Sequence, residues 1–253
     1  MPYLDLAGDR VWSESTGAGE PVVLLHGGFM TLESLRPVGR ALAHSRAVHA
    51  FERPGHGRSP DVPGEYSYAR GVEQALAYLD LLGLDSAHVV GYSDGAVIGL
   101  LLARDHPRRV RSLVSVSGNL DPSGFAVEPE ELDAALALAG TAPDGMPDPD
   151  RELHAALSPD GPAHGDIVLD KLRRLWRDHP RVTPASLRTV RAPTLVLAGE
   201  HDAVRPEHSA LIAAALPDGY LHLVPEATHA LLEEHPEVVC ALVVAFVEEH
   251  AAG

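Results

Sequence analysis

Gly91-Tyr92-Ser93-Asp94-Gly95 follows the apolar run His88-Val89-Val90 and leads into the helix-forming stretch Ala96 to Arg104. A strand that turns this sharply into a helix forces its central residue into a strained backbone conformation. Glycines two positions either side relieve the crowding that any Cβ would create there. The serine hydroxyl is thereby lifted to the edge of a sheet, at a helix N-terminus whose partial positive charge favours developing anions. A serine can also sit in such a turn simply as an N-cap. The flanking strand and helix favour the reading of Ser93 as a nucleophile.

A serine hydroxyl attacks a carbonyl at neutral pH only if a base takes its proton, so one of the 15 histidines must serve. His229 is the candidate. It follows the strand-like run Leu221-His222-Leu223-Val224 on the loop Pro225-Glu226-Ala227-Thr228, at the sheet end where the elbow lies. The base needs an acid to fix its tautomer and stabilise the imidazolium. Asp202 follows the strand Thr194-Leu195-Val196-Leu197 in the turn Ala198-Gly199-Glu200-His201, with Glu200 and His201 as its nearest rivals. The oxyanion formed on attack needs amide donors. One is expected from Asp94, the other from the turn His26-Gly27-Gly28-Phe29, with Gly28 favoured and Phe29 next. His26 reads as a hydrogen-bonding support for that turn.

Outward from the elbow, short apolar runs alternate with amphipathic stretches, the pattern of a mostly parallel sheet with helices on both faces. Strands are expected at Pro21–Leu25, Ala47–Phe51, Ala87–Gly91, Val110–Val116, Pro193–Ala198 and Tyr220–Val224. Helices are expected at Leu32–Ala43, Tyr68–Leu82, Asp94–Asp105, Pro206–Leu216 and Pro236–His250. A hairpin of Tyr3–Leu6 and Arg10–Ser15, turned at Ala7 to Asp9, should lie antiparallel at the edge. The alternation stops after Ser117 and resumes at Pro193. The intervening Pro-, Gly- and Asp-rich segment has weak helical stretches near Glu130–Leu138, Arg151–Leu157 and Ile167–Arg177, so it is expected to pack over the sheet as a helical lid. The division is a core of residues 1–117 and 191–253 with a lid of 118–190.

A formal net charge of −16 disfavours nucleic-acid and anionic-membrane partners. The cluster Arg108, Arg109 and Arg111 follows Pro107 and reads as a solvated turn. No apolar run approaches the length of a membrane span, and the polar, acidic start Met1 to Glu20 lacks the features of a secretory signal, so a cytoplasmic location is expected. The single cysteine, Cys240, lies on an apolar stripe and reads as a small core residue. No metal-ligand spacing stands out, and neither metal nor cofactor is expected.

The chain resembles the α/β-hydrolase superfamily over essentially its whole length. The resemblance is carried by Leu25-His26-Gly27-Gly28, by Arg53-Pro54-Gly55-His56-Gly57-Arg58-Ser59, by the Gly91 to Gly95 elbow, by Pro193 to Asp202, and by His229 followed by Glu234-His235-Pro236-Glu237. It implies the α/β-hydrolase fold and a Ser93, Asp202, His229 triad acting on a small-molecule substrate. A serine at the elbow, where members resembling epoxide hydrolases carry aspartate, points to carbonyl chemistry. Esters are the default substrate, with lactones and carbon–carbon bonds as alternatives on the same triad. A small-molecule receptor with negligible turnover is the rival from another class. Phe29, Tyr92 and lid side chains are expected to line a mainly apolar pocket. Asp94 departs from many relatives and has two readings. It is either an acid well placed at a helix N-terminus, or a carboxylate recognising a substrate amine, as the Ser-Asp-Gly elbow similar to that of valacyclovirase-like hydrolases implies.

Overall fold

The computed structural model describes residues 2–128, 130–138 and 148–251. Eight strands form one sheet: β1 (Tyr3–Leu6), β2 (Asp9–Thr16), β3 (Glu20–Leu25), β4 (Arg46–Phe51), β5 (Ala87–Tyr92), β6 (Val110–Val116), β7 (Thr194–Gly199) and β8 (Gly219–Val224). Their spatial order is β1-β2-β4-β3-β5-β6-β7-β8. The β1–β2 and β2–β4 pairs are antiparallel, and every later pair is parallel. The hairpin therefore sits at the sheet edge as expected. Its two-residue turn, Ala7 at φ 55° and Gly8 at φ 90°, has the left-handed backbone that matches strand twist.

The parallel strands are apolar on both faces, and the period-two alternation of side chains divides them between two cores. Val23, Leu25, Val89, Leu113 and Val196 face one core, with Tyr78 and Leu79 of α2 (Tyr68–Leu81), Ile98 and Leu102 of α3 (Asp94–Asp105) and Ile212 of α7 (Pro206–Ala215). Val22, Leu24, Val90, Val114 and Leu197 face the other, with Val38 and Leu42 of α1 (Arg36–Leu42) and Val243 and Val247 of α9 (Pro236–Glu249). The half-buried Cys240 packs against this second core. The helix expected over Leu32–Ala43 is split. Thr31 caps a 3-10 turn, Leu32–Leu35, and α1 begins at Arg36 with Pro37 in its first turn, where a missing N–H costs nothing.

Between β6 and β7 lie α4 (Leu132–Leu138), α5 (Pro149–Leu157) and α6 (Gly165–Asp178). Val168, Leu169, Leu172 and Leu175 carry α6 into the first core. A polar latch reinforces it: Lys171 Nζ reaches Asp61 Oδ2 at 2.7 Å and the Val62 carbonyl at 2.6 Å, and His164 reaches the same carboxylate oxygen at 2.8 Å. The arginines after Pro107 are engaged locally, Arg109 with Asp80 and Arg111 with Glu20. No helix among the described residues is long and apolar enough to cross a membrane.

Candidate active site

Ser93 sits between β5 and α3 at φ 53° and ψ −116°, a conformation that costs a non-glycine residue of order 1–3 kcal/mol. Its neighbours explain why it is tolerated. A Cβ on Gly91 would stand 2.2 Å from the Gly95 carbonyl oxygen, and one on Gly95 would stand 1.9 Å from the Leu25 carbonyl oxygen. Only glycine permits this crossing of strand ends. The Ser93 N–H is fixed by the Val116 carbonyl at 2.8 Å. Ser93 holds the N-cap position of α3, but its hydroxyl makes no capping bond and meets His229 Nε2 at 3.2 Å instead.

His229 Nδ1 lies 2.7 Å from Asp202 Oδ1. An ionised carboxylate only accepts, so Nδ1 carries the proton and Nε2 is free to accept from Ser93. Asp202 is buried. Burial alone would raise its pKa, but hydrogen bonds from His229, from Ser117 Oγ at 2.5 Å and from the Val204 N–H at 3.1 Å bring it below the ordinary carboxylate value. The Gly199 N–H adds a fourth donor at 3.2 Å. The two loops carrying the pair are fastened together: the His201 N–H donates to the Ala227 carbonyl at 2.8 Å, and a Cβ on Gly199 would collide with the Ala227 and Thr228 carbonyl oxygens. Glu200 and His201, the rivals to Asp202, are exposed on the outside of this turn.

The turn after β3 is braced from beneath. The Arg53 N–H donates to His26 Nε2 at 3.0 Å, which leaves His26 Nδ1 to donate to the Gly27 carbonyl at 2.7 Å. Arg53 Nη2 also donates to the His26 and Gly27 carbonyls, at 3.1 and 2.9 Å. Burial and the neighbouring Arg53 charge hold the His26 pKa well below the imidazole range, so this ring is a neutral support. Phe29, at φ 56°, ends the turn with its ring stacked on His154 of α5, centroids 5.2 Å apart.

Gly28, Phe29, Ser93, Asp94 and His229 face one cavity of about 340 Å³. Met30, Phe125, Val127 and Val204 line it too, and the helices between β6 and β7 contribute Leu132, Ala135, Leu136, Asp150, Leu169 and Trp176. Three non-glycine residues with positive φ, Phe29, Ser93 and Ser117, lie on its wall, the clustering of backbone strain that functional sites show. Tyr92 corrects an expectation. It is buried and donates its hydroxyl to the His229 carbonyl, so it positions the histidine loop and does not line the cavity.

Asp94 stands in the first turn of α3, as one of its two readings expects, and its carboxylate has further partners. Its Oδ1 accepts from Tyr68 Oη and from Trp176 Nε1, both at 2.9 Å, and Arg53 Nη1 lies 3.7 Å from Oδ2. The carboxylate next to Ser93 thus ties α2, α6 and the Arg53 brace to one point. Arg53, Tyr68, Ser117, His154 and Trp176 are not singled out by sequence reasoning. Only Arg53 lies inside a quoted motif.

A family model described as "Alpha/beta hydrolase family" matches residues 22–242. The chain belongs to the alpha/beta hydrolase family. The family membership marks it as an enzyme of the hydrolase type. It is 29% identical to a putative carbamate hydrolase RutD of Azorhizobium caulinodans over 98% of this chain and 99% of the relative. To a 2-hydroxymuconate semialdehyde hydrolase of Pseudomonas sp. strain CF600 it is 30% identical, over 98% of this chain and 93% of that one. Its fold is shared with a meta-cleavage product hydrolase from Pseudomonas fluorescens IP01, with a TM-score of 0.80, 21% identity and 98% of both chains covered.

Proposed function

We propose that this alpha/beta hydrolase cleaves a carboxylic ester through an acyl-enzyme on Ser93. The observation that carries the reading is the continuous chain from Asp202 Oδ1 to His229 to Ser93 Oγ, ending on the wall of a largely apolar cavity. His229 Nε2 takes the Ser93 proton as Oγ attacks the carbonyl carbon. The oxyanion is received by the Asp94 N–H and by an N–H of the Gly28–Phe29 turn. The intermediate collapses, His229 protonates the departing alcohol, and the acyl group stays on Ser93. His229 then activates water, which repeats the sequence to release the acid. Each oxyanion donor is worth about 2.7–4 kcal/mol of transition-state stabilisation in such sites.

Residues 118–190 act in this reading as a lid that closes the acyl pocket. Asp94 serves to anchor that lid, because Trp176 reaches it from α6. The Arg53 guanidinium beside it lowers the gain available from a substrate ammonium at this position. Labelling by a fluorophosphonate and turnover of p-nitrophenyl esters test the reading. Ser93→Ala should abolish both, and folded wild-type protein that shows neither overturns it.

Similarity to a 2-hydroxymuconate semialdehyde hydrolase favours a second reading, carbon–carbon bond cleavage on the same triad. A parallel screen of p-nitrophenyl esters, lactones and vinylogous diketones separates the two by their kcat/KM values.

A further inference from the structure

The cavity carries a charge pattern that ester cleavage leaves unused. Among the described residues its acidic lining consists of Asp94 and Asp150. None of the described residues lining it is Lys or Arg, and the sequence from 139 to 147 contains neither. Asp94 is 3% exposed, and its Oδ2, which makes no hydrogen bond, has the Arg53 guanidinium 3.7 Å away. The Arg53 charge offsets that of Asp94, which leaves Asp150 to set the sign of the cavity wall.

Asp150, in the first turn of α5, lines this cavity and also a neighbouring groove of about 390 Å³ that includes Thr31, Leu153 and Glu233, so it stands where the two meet. An acid in a first helical turn has a local explanation in the helix dipole. A carboxylate placed there on the cavity wall still carries its charge to whatever enters the cavity. The capping role in α5 is moreover taken by Asp148, whose side chain accepts from the Arg151 N–H.

We propose that the cavity sorts substrates by charge, with Asp150 as the discriminating side chain: acyl groups that are neutral or carry an amine enter, and those carrying a carboxylate are turned away. The inference rests on the ester reading above and names its substrate class. The charges that act on Asp150 most strongly are acidic. Asp148 caps its helix, and on the helix are Glu152 and Arg151, the latter paired with Asp148 and with Asp166. Glu233 and Glu234 lie on α8 (Leu231–Glu234), and Glu33 across the groove is engaged by Arg36 and Arg58. His229 lies on the cavity wall with its proton committed to Asp202. Burial first, then the Glu233 and Asp148 charges, raise the Asp150 pKa to about 6. The side chain is therefore ionised at neutral pH and loses its charge as pH falls through that value.

Three 4-nitrophenyl esters of equal acyl length, ending in methyl, ammonium or carboxylate, test this. At about pH 7.5 the wild type should favour the ammonium ester over the carboxylate ester by about tenfold or more in kcat/KM, from charge interaction in a partly desolvated cavity. Asp150→Asn should shrink that ratio by about tenfold, and so should lowering the wild-type assay to about pH 5, where the substrate carboxylate is still mostly ionised. Both esters use the same triad, so any effect of pH on the triad cancels in the ratio. The wild-type pH series also decides the matter should Asp150→Asn fail to fold. If no ester is turned over, the ester reading falls. The charge inference is then decided by the same end-group series as amides, bound to Ser93→Ala and followed by thermal stabilisation. A ratio that is unchanged by Asp150→Asn and by pH overturns the proposal, as does a wild-type preference for the carboxylate in either series.

Discussion

Replacing Asp94 by Asn separates an anchoring carboxylate from a substrate-recognising one. The amide keeps the shape of the side chain and an oxygen for Tyr68 and Trp176, but removes the charge opposite Arg53. The Arg53 side chain is 11% exposed and that of Asp94 is 3% exposed, so the guanidinium is left buried with carbonyls as its only acceptors. Burial pushes the Arg53 pKa down, and the Asp94 charge is the foremost influence opposing it. Breaking a buried pair from one side costs roughly 3–5 kcal/mol. The 3.7 Å separation and the two retained carbonyl acceptors place this case lower, at about 2–3 kcal/mol. For a chain of 253 residues that corresponds to a fall in Tm of about 4–12 °C. Reversible denaturation of wild type, Asp94→Asn, Arg53→Met and the double variant gives the coupling directly. It should be about 1.5 kcal/mol or more, because two residues in contact share the penalty. Additivity within about 0.5 kcal/mol would refute the anchoring argument. Should Asp94→Asn instead leave stability intact and selectively lose amine-bearing esters, recognition of the substrate amine would be the correct role.

Other perturbations follow from single contacts. Ser117→Ala removes one of four donors to a buried, ionised Asp202 and should cost about 1.5–3 kcal/mol of stability by denaturant titration, with ester turnover reduced but not abolished. Gly28→Ala places a Cβ 2.6 Å from both Asp94 Oδ2 and Trp176 Cζ2, so the turn must shift away from the elbow. The expected loss in kcat is about ten- to a hundredfold with little change in KM. Asp61 should show a pH signature. Burial would raise its pKa, but the hydrogen bonds from Lys171, Tyr66 and His164 bring it down to about 2. Its stabilising effect is therefore complete above the unfolded value of about 3.9 and is lost as pH falls through about 2. Asp61→Asn should lower Tm at neutral pH, and the difference from wild type should narrow steadily below about pH 4.

The chain advertises its sheet because the burial of parallel strands on both faces leaves unbroken apolar runs, and the bounds of Val110–Val116 and Asp94–Asp105 are legible to the residue. Periodicity cannot divide Leu32–Ala43, since 3-10 and α turns present nearly the same apolar positions over so short a stretch. It also misses Leu231–Glu234, a single turn between the loop of His229 and Pro236. The contact chain of Ser93, His229 and Asp202 is legible for a different reason. Each member follows its own strand, so strand order alone brings the three to one edge. Tyr92 is misplaced by the same logic because it ends β5 with its side chain buried, where its hydroxyl meets the His229 backbone.

Asp94 shows where such reasoning stops. Its partners lie 26 and 82 residues away on α2 and α6, and nothing local to the elbow encodes either contact. The same residue supplies a backbone N–H beside Ser93 and a carboxylate that receives the indole of Trp176. A displacement of α6 must therefore either break that hydrogen bond or strain the start of α3. Helix α6, part of the proposed lid, is in this way coupled to the geometry of the elbow by one side chain. A substitution at Trp176 should then reach kcat as well as substrate fit. Trp176→Phe keeps the apolar wall but removes the donor, so a fall in kcat with KM preserved assigns the effect to the elbow, and a change in KM alone assigns it to the wall.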